Sequence, residues 1–398
     1  MNFTGILPGV PRLALGILLA VLCASLASTR ARAELVYVEI DAPRSGDSVR
    51  EPLALVEVRG WAGTGLRGKH DVVIVIDRSG SAFRASGVDV DRDGITGEQY
   101  GSEPPDEIVL WTSDYGDTIV SAELLAARRL VERLDPATTR MAIVTFGGNA
   151  NVEAPLGSSK QQLLAALDAQ KPWPNENGTN LYGALETAID AFAAAPAEPG
   201  VTRQREILLF SDGIPTSPPD PPGAAQRISV HAARNAARAK ARIYAYALGP
   251  TAAVARSSFD EIVRANGGQL VVLDKPADIL EFVPYLSWTS IAAVRLENAS
   301  NGQAGRAMRV FPDGSFDGFA PLQAGKNELR FTAVSEQGTE ATVTRWVSFD
   351  KLPPDPEKLA RFRKTLEVRA LETELAERAR QKREAVRKKS LEVTPERR

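Results

Sequence analysis

Between Asp71 and Asp77 the chain reads Asp-Val-Val-Ile-Val-Ile-Asp. A β-branched run with no polar alternation predicts a strand covered on both faces. Comparable runs lie at 140–146, 206–210, 242–248 and 269–273. Between them, apolar residues recur at three- and four-residue spacing over 118–134, 159–168, 180–194, 223–239, 257–265 and 277–285, the periodicity of helices. Strand alternating with helix predicts an α/β fold: right-handed crossovers and a doubly wound, mostly parallel sheet.

The flanks follow a different pattern. Residues 35–61 hold strand-like stretches broken by Pro43, Gly46 and Pro52, and residues 292–350 hold short alternating runs separated at Pro312-Asp313-Gly314 and Gln323-Ala324-Gly325. The first supplies about two strands and the second about five, too few in either case for two packed sheets. The economical arrangement is one β-sandwich built from both flanks, with the α/β unit inserted into it. Beyond Pro353-Pro354 the chain turns to Glu, Lys, Arg, Ala and Leu, with Leu359, Phe362 and Leu366 as a brief apolar stripe. A charged, solvated helix is expected there.

Five segments result: a signal peptide at 1–33, the first part of the sandwich at 34–66, the α/β domain at 69–286, the second part of the sandwich at 287–352 and a charged helical tail at 353–398. The signal reading rests on Arg12, the apolar run 13–26 and Ala31-Arg32-Ala33, a short greasy stretch ending in small residues at the −3 and −1 positions. It predicts an exported protein, in the periplasm, at the cell surface or outside the cell. A retained N-terminal anchor is the alternative. The one cysteine, Cys23, would leave with the signal, and Leu22 before it argues against lipidation. Only His70 and His231 supply imidazole, so Cys- and His-rich zinc sites and Cys–His catalysis are excluded. A net charge of −2 gives no indication of nucleic acid binding.

The chemistry concentrates at strand ends. Open parallel sheets bind ligands outside the carboxyl ends of their strands. Asp77 ends the first buried strand and is followed by Arg78-Ser79-Gly80-Ser81; Asp212 follows another strand; Thr179 opens a helix. Three hydroxyls and two carboxylates would meet on one rim. An all-oxygen set suits a hard ion, Mg²⁺ or Mn²⁺. If neutral hydroxyls touch the ion directly and the aspartates act through water, the ion stays electron-poor and seeks a carboxylate from elsewhere.

Residues 71–286 resemble the von Willebrand factor A domain, and Asp77-x-Ser79-x-Ser81 is similar to its metal-ion-dependent adhesion site motif in full, with Thr179 and Asp212 similar to the family's separate threonine and aspartate. The resemblance implies direct coordination by Ser79, Ser81 and Thr179, water-bridged Asp77 and Asp212, and metal-dependent binding of a protein partner. The flanks resemble bacterial immunoglobulin-like repeats, through Val38-Glu39-Ile40 with Gly60, Asp313-Gly314-Ser315-Phe316 and Gly325-Lys326-Asn327.

A second acidic element follows the motif. Asp89-Val90-Asp91-Arg92-Asp93-Gly94 has the spacing of a calcium loop's start, with Gly94 at the sharp turn. The twelfth position, where a bidentate glutamate belongs, is Tyr100, so Glu98, Glu103 or Asp106 would have to substitute. The competing reading is a solvated acidic insertion.

These features point to an exported adhesion module, not an enzyme, that captures an Asp or Glu of a partner protein. The alternatives are an envelope protein whose metal only stabilises the rim, and a metal-assisted hydrolase. Against the hydrolase, no histidine lies near the motif in sequence and no G-x-S-x-G, P-loop or G-x-G-x-x-G occurs. The tail, with 14 basic and 8 acidic residues from 357 to 398, offers weak contact with membrane or cell wall, or with the acidic body.

Overall fold

A computed structural model describes residues 35–64, 68–97, 99–100, 111–170, 178–219, 221, 223–283 and 286–392. The signal-peptide segment and Glu98, Glu103 and Asp106 lie outside the described residues. Among the described residues no helix is long and apolar enough to cross a membrane.

The strand anticipated at 71–77 spans Lys69–Asp77 and is central to a six-stranded sheet. Its neighbours on one side are Arg203–Ser211, Ala241–Leu248 and Gln269–Leu273, and on the other Thr139–Phe146, all parallel; Ala150–Ala154 closes the sheet as an antiparallel edge. The α/β reading with a mostly parallel sheet therefore holds. Val72, Ile74 and Ile76 pack into one apolar layer with Phe83, Leu130 and Phe282, while Val73 and Val75 pack into the other with Leu185, Phe192 and Phe259. Two buried faces are why the sequence shows no alternation here.

Local chemistry starts the helices. Thr118 caps Ile119–Arg133 by accepting from Ser121 N–H, Ser159 and Gln162 form a capping box before Lys160–Asp168, and Asn180 caps Leu181–Ala194 by accepting from Gly183 N–H. Two boundaries differ from expectation. The helix anticipated at 257–265 begins at Pro250, where proline suits the first turn. The one anticipated at 277–285 is a 3₁₀ turn at Pro276–Asp278 followed by Ile279–Phe282.

The flanks interleave. One sheet runs Val36–Ala42, Leu55–Thr64, Ser315–Pro321, Arg306–Val310; the other runs Gln303–Ala304, Ile291–Asn298, Gly325–Ser335, Glu340–Lys351, Ser48–Glu51. Each takes strands from both sides of the α/β unit. Val58, Leu296, Phe316, Phe331 and Phe349 belong to one shared core. The first flank gives three strands rather than two, because Ser48–Glu51 pairs in parallel with Glu340–Lys351 at the sheet edge. The chain enters and leaves the α/β unit side by side: Thr64 N–H donates to Thr289 O at 3.2 Å.

The tail helix, Pro356–Glu392, follows the alternative of contact with the acidic body and not that of a solvated helix. Phe362 meets Phe319 edge-on at 4.8 Å, Arg369 pairs with Glu57 at 2.9 Å, and Arg309 pairs with Glu372. Further along, Lys382 reaches Asp278 at 2.7 Å and Glu281 at 2.9 Å. The helix thus meets the two-sheet unit through its apolar stripe and ion pairs, and the α/β unit through Lys382; the ion pairs leave no apolar periodicity.

Candidate metal centre

Asp77 ends the central strand fully buried and is pinned on three sides. Its Oδ1 accepts from Ser79 N–H at 2.7 Å, its Oδ2 from the Ser211 hydroxyl at 2.5 Å, and its own N–H donates to Glu123 Oε2 at 3.1 Å. The chain then leaves the sheet through an extended Ser79 into a short 3₁₀ turn, Gly80–Phe83. That exit brings Ser79 Oγ to 3.2 Å from Ser81 Oγ. Ser81 donates to Asp212 Oδ1 at 2.8 Å. Asp212 sits at the corresponding end of the neighbouring strand, also fully buried.

Thr179 arrives from a third segment. Its N–H donates to the Thr216 hydroxyl at 2.8 Å and its carbonyl accepts from Thr216 N–H at 3.1 Å, so the loop before Leu181–Ala194 is fastened to the loop after Asp212. Gly213 lies between the two. A methyl group added there would sit 3.3 Å from Ser81 Oγ and 3.4 Å from Thr179 Oγ1. The two hydroxyls therefore face a common open space that only glycine leaves clear. All five rim residues expected from the sequence come together here.

Burial sets the electrostatics. Asp77, Asp212 and Glu123 are each fully out of solvent. Burial, and then the neighbouring Asp77 charge, pushes Asp212 up to about 7, against the Ser81 hydrogen bond and the Arg84 charge. Burial likewise raises Asp77, against its hydrogen bonds from Ser211 and Ser79. Glu123 is raised well above the usual carboxylate range by burial and by Asp77 and Asp212. Three carboxyls in so dry a place hold protons, or share a cation. The rim offers only oxygen, the ligand type of Mg²⁺ and Mn²⁺, and an open cradle beside neutral hydroxyls, so the residues present fit such an ion.

Sequence reasoning missed Glu123 and Ser211. Glu123 could have been found: it occupies the apolar face of its helix, three, four and seven residues before Ala126, Ala127 and Leu130, all of which are fully buried. A carboxyl on that face requires a polar partner in the core. Ser211 carries no comparable signal.

The second element forms a separate group. Carboxylate oxygens of Asp89, Asp91 and Asp93 all lie within 4.8 Å of one another. Gly94, at φ 89°, donates its N–H to Asp89 Oδ2 at 3.1 Å, the tight turn expected of that glycine. Buried Asp117 supports the loop by accepting from Val90 N–H and Gly97 N–H.

Residues 109–214 match the sequence model of the von Willebrand factor type A domain. The match includes Thr179 and Asp212 and begins after Ser81. Among curated proteins nothing matches. Solved structures similar to this chain include the conserved hypothetical protein BatB from Bacteroides thetaiotaomicron, 19% identical over 52% of this chain and 91% of that one, TM-score 0.36. The vWF domain of the type V pili tip protein Mfa5 from Porphyromonas gingivalis is 14% identical over 54% of this chain and 93% of that one, TM-score 0.36. Proximal thread matrix protein 1 from the mussel byssus, with a zinc-occupied MIDAS motif, is 17% identical over 57% of this chain and 47% of that one, TM-score 0.37.

Proposed function

We propose that the rim holds Mg²⁺ or Mn²⁺ and that the protein is an exported binding module, which captures an Asp or Glu side chain of a partner protein there. The observation that carries this reading is the convergence of Ser81 Oγ and Thr179 Oγ1 on the open space over Gly213, beside Ser79 and above two buried aspartates. Ser79, Ser81 and Thr179 would hold the ion, with Asp77 and Asp212 behind them. A divalent ion with neutral first ligands is a Lewis acid with affinity for an added carboxylate.

Binding rather than catalysis is supported by the disposition of bases. Asp77 and Asp212 are engaged by Ser79, Ser211 and Ser81. His70 lies at the opposite end of the central strand and His231 is exposed on the helix Ala224–Arg238. Among the described residues no histidine stands at the rim, and both aspartates there are already held by serine hydrogen bonds. In this reading the two interleaved sheets form an immunoglobulin-like stalk, and the Asp89, Asp91 and Asp93 loop takes Ca²⁺ beside the partner surface.

The test is capture from an envelope extract on the immobilised protein in Mg²⁺, followed by EDTA elution, with Ser79→Ala as a second bait. Specific release by EDTA, absent for Ser79→Ala, is expected. Partners retained in EDTA sink the adhesion reading. A melting temperature that drops in EDTA while capture persists favours a metal that only stabilises the rim.

A further inference from the structure

The opposite edge of the same sheet carries a cleft of ≈ 690 Å³ between the end of Leu181–Ala194 and the turn before Ala241–Leu248. The Asp71-to-Asp77 run separates it from the metal rim by about 20 Å, at roughly 3.3 Å per residue. Five cations line it: Arg140, Arg203, Arg205, Arg238 and Lys240. Only two carboxylates, Asp71 and Glu198, oppose them.

The pairing is uneven. Arg140 and Arg203 are committed to Asp71, and Arg203 also to Glu198. The side chain of Arg203 is only 8% exposed, yet its Nε has no hydrogen-bond partner among the described residues. The other three have no carboxylate partner among the described residues. Arg205 donates to Ala239 O at 3.1 Å and lies over the Phe192 ring, and Arg238 donates to Asn235 Oδ1 at 2.8 Å. Both contacts hold a guanidinium in place without cancelling its charge. Lys240 extends from a left-handed turn at φ 57° on the cleft's rim.

The geometry points to this cleft as a binding site for a phosphate-bearing ligand. A single carboxylate would leave most of the surplus charge uncompensated, whereas a ligand with two phosphate charges or more matches it. Planar guanidiniums bind phosphate oxygens in pairs. The cleft is much larger than one phosphate, and Pro196 and Val201 add an apolar wall for an organic portion. The chemistry recognised is the same for the phosphate of a soluble compound and that of a lipid headgroup.

Calorimetry of the full-length protein with pyrophosphate, in EDTA at fixed ionic strength, keeps the metal rim out of the measurement. Binding should weaken at least tenfold in the Arg205→Gln, Arg238→Gln, Lys240→Gln triple variant and stay unchanged in Thr179→Ala. Should the triple variant melt early, Arg238→Gln and Lys240→Gln alone, both exposed, should each weaken binding about threefold. Cosedimentation with phosphatidylglycerol vesicles is the second arm. Loss of sedimentation in the triple variant assigns the phosphate to a lipid headgroup, and pyrophosphate binding without it assigns a soluble source. A triple variant that matches wild type in both arms overturns the site.

Discussion

The backbone N–H of Asp77 donates to Oε2 of Glu123 at 3.1 Å, tying the last residue of the central strand to a fully buried carboxyl on the next helix. The contact fixes where the chain leaves the sheet, and so where Ser79 and Ser81 begin. Glu123→Gln keeps an acceptor and removes the need to bury an ionisable carboxyl, so it should leave the denaturation midpoint unchanged or raise it. Glu123→Leu strands the Asp77 N–H and should cost about 1–3 kcal/mol. Equal stability of the two variants would count against this role.

Acidity at the rim predicts a pH dependence. Asp212 titrates at about 7 in the fold against an ordinary 3.8, so between those values the folded state holds a proton that the unfolded state has lost. Its stabilising contribution is full below pH 4 and disappears as pH rises through 7. In EDTA, the urea midpoint should fall from pH 4 to 7.5, and Asp212→Asn should flatten that slope. Added Mg²⁺ should restore stability most strongly at the upper end, where the carboxylates are ionised. A midpoint that rises with pH in EDTA would contradict the assignment.

Gly213→Ala places a methyl group 3.3 Å from Ser81 Oγ and 3.4 Å from Thr179 Oγ1. The fold should absorb this with a melting temperature within a few degrees of wild type, while Mg²⁺ affinity, read by calorimetry, falls at least tenfold. Undiminished affinity would mean that the ion lies elsewhere.

The tail helix gives a salt-dependent prediction. Lys382 is partly exposed between Asp278 and Glu281, and exposed pairs of this kind contribute roughly 0–1 kcal/mol each. Lys382→Glu should therefore speed amide exchange in the helix's second half with little change in melting temperature, and high salt should do the same to wild type. Phe362→Ala should loosen the first half instead, independently of salt.

Much of the α/β unit was legible because burial leaves a plain mark. Val72 to Ile76 could hardly be anything but a strand covered twice, and Asp77, Ser79 and Ser81 had to follow at its end. Thr179 and Asp212 were placed by the same rule of strand ends and helix starts. The edge strand Ala150–Ala154 left no such mark, since Asn151 and Val152 are exposed and the segment is defined by its partner. The docking of the tail was legible only as an alternative: Phe362 marked a stripe, but Arg369 and Lys382 find carboxylates far away in sequence, and no local periodicity encodes a distant charge.

The interleaving of the flanks has a bearing on how the molecule assembles. Trp61 has Ser315 as its neighbour across the sheet, and Ser348 lies beside Ser48. Strands made first must wait, partly unpaired, until nearly everything else has been synthesised, and such distant pairings come late. With Thr64 and Thr289 drawn together by the finished middle, the waiting ends are delivered to each other, so the inserted unit acts as the template on which its own host closes.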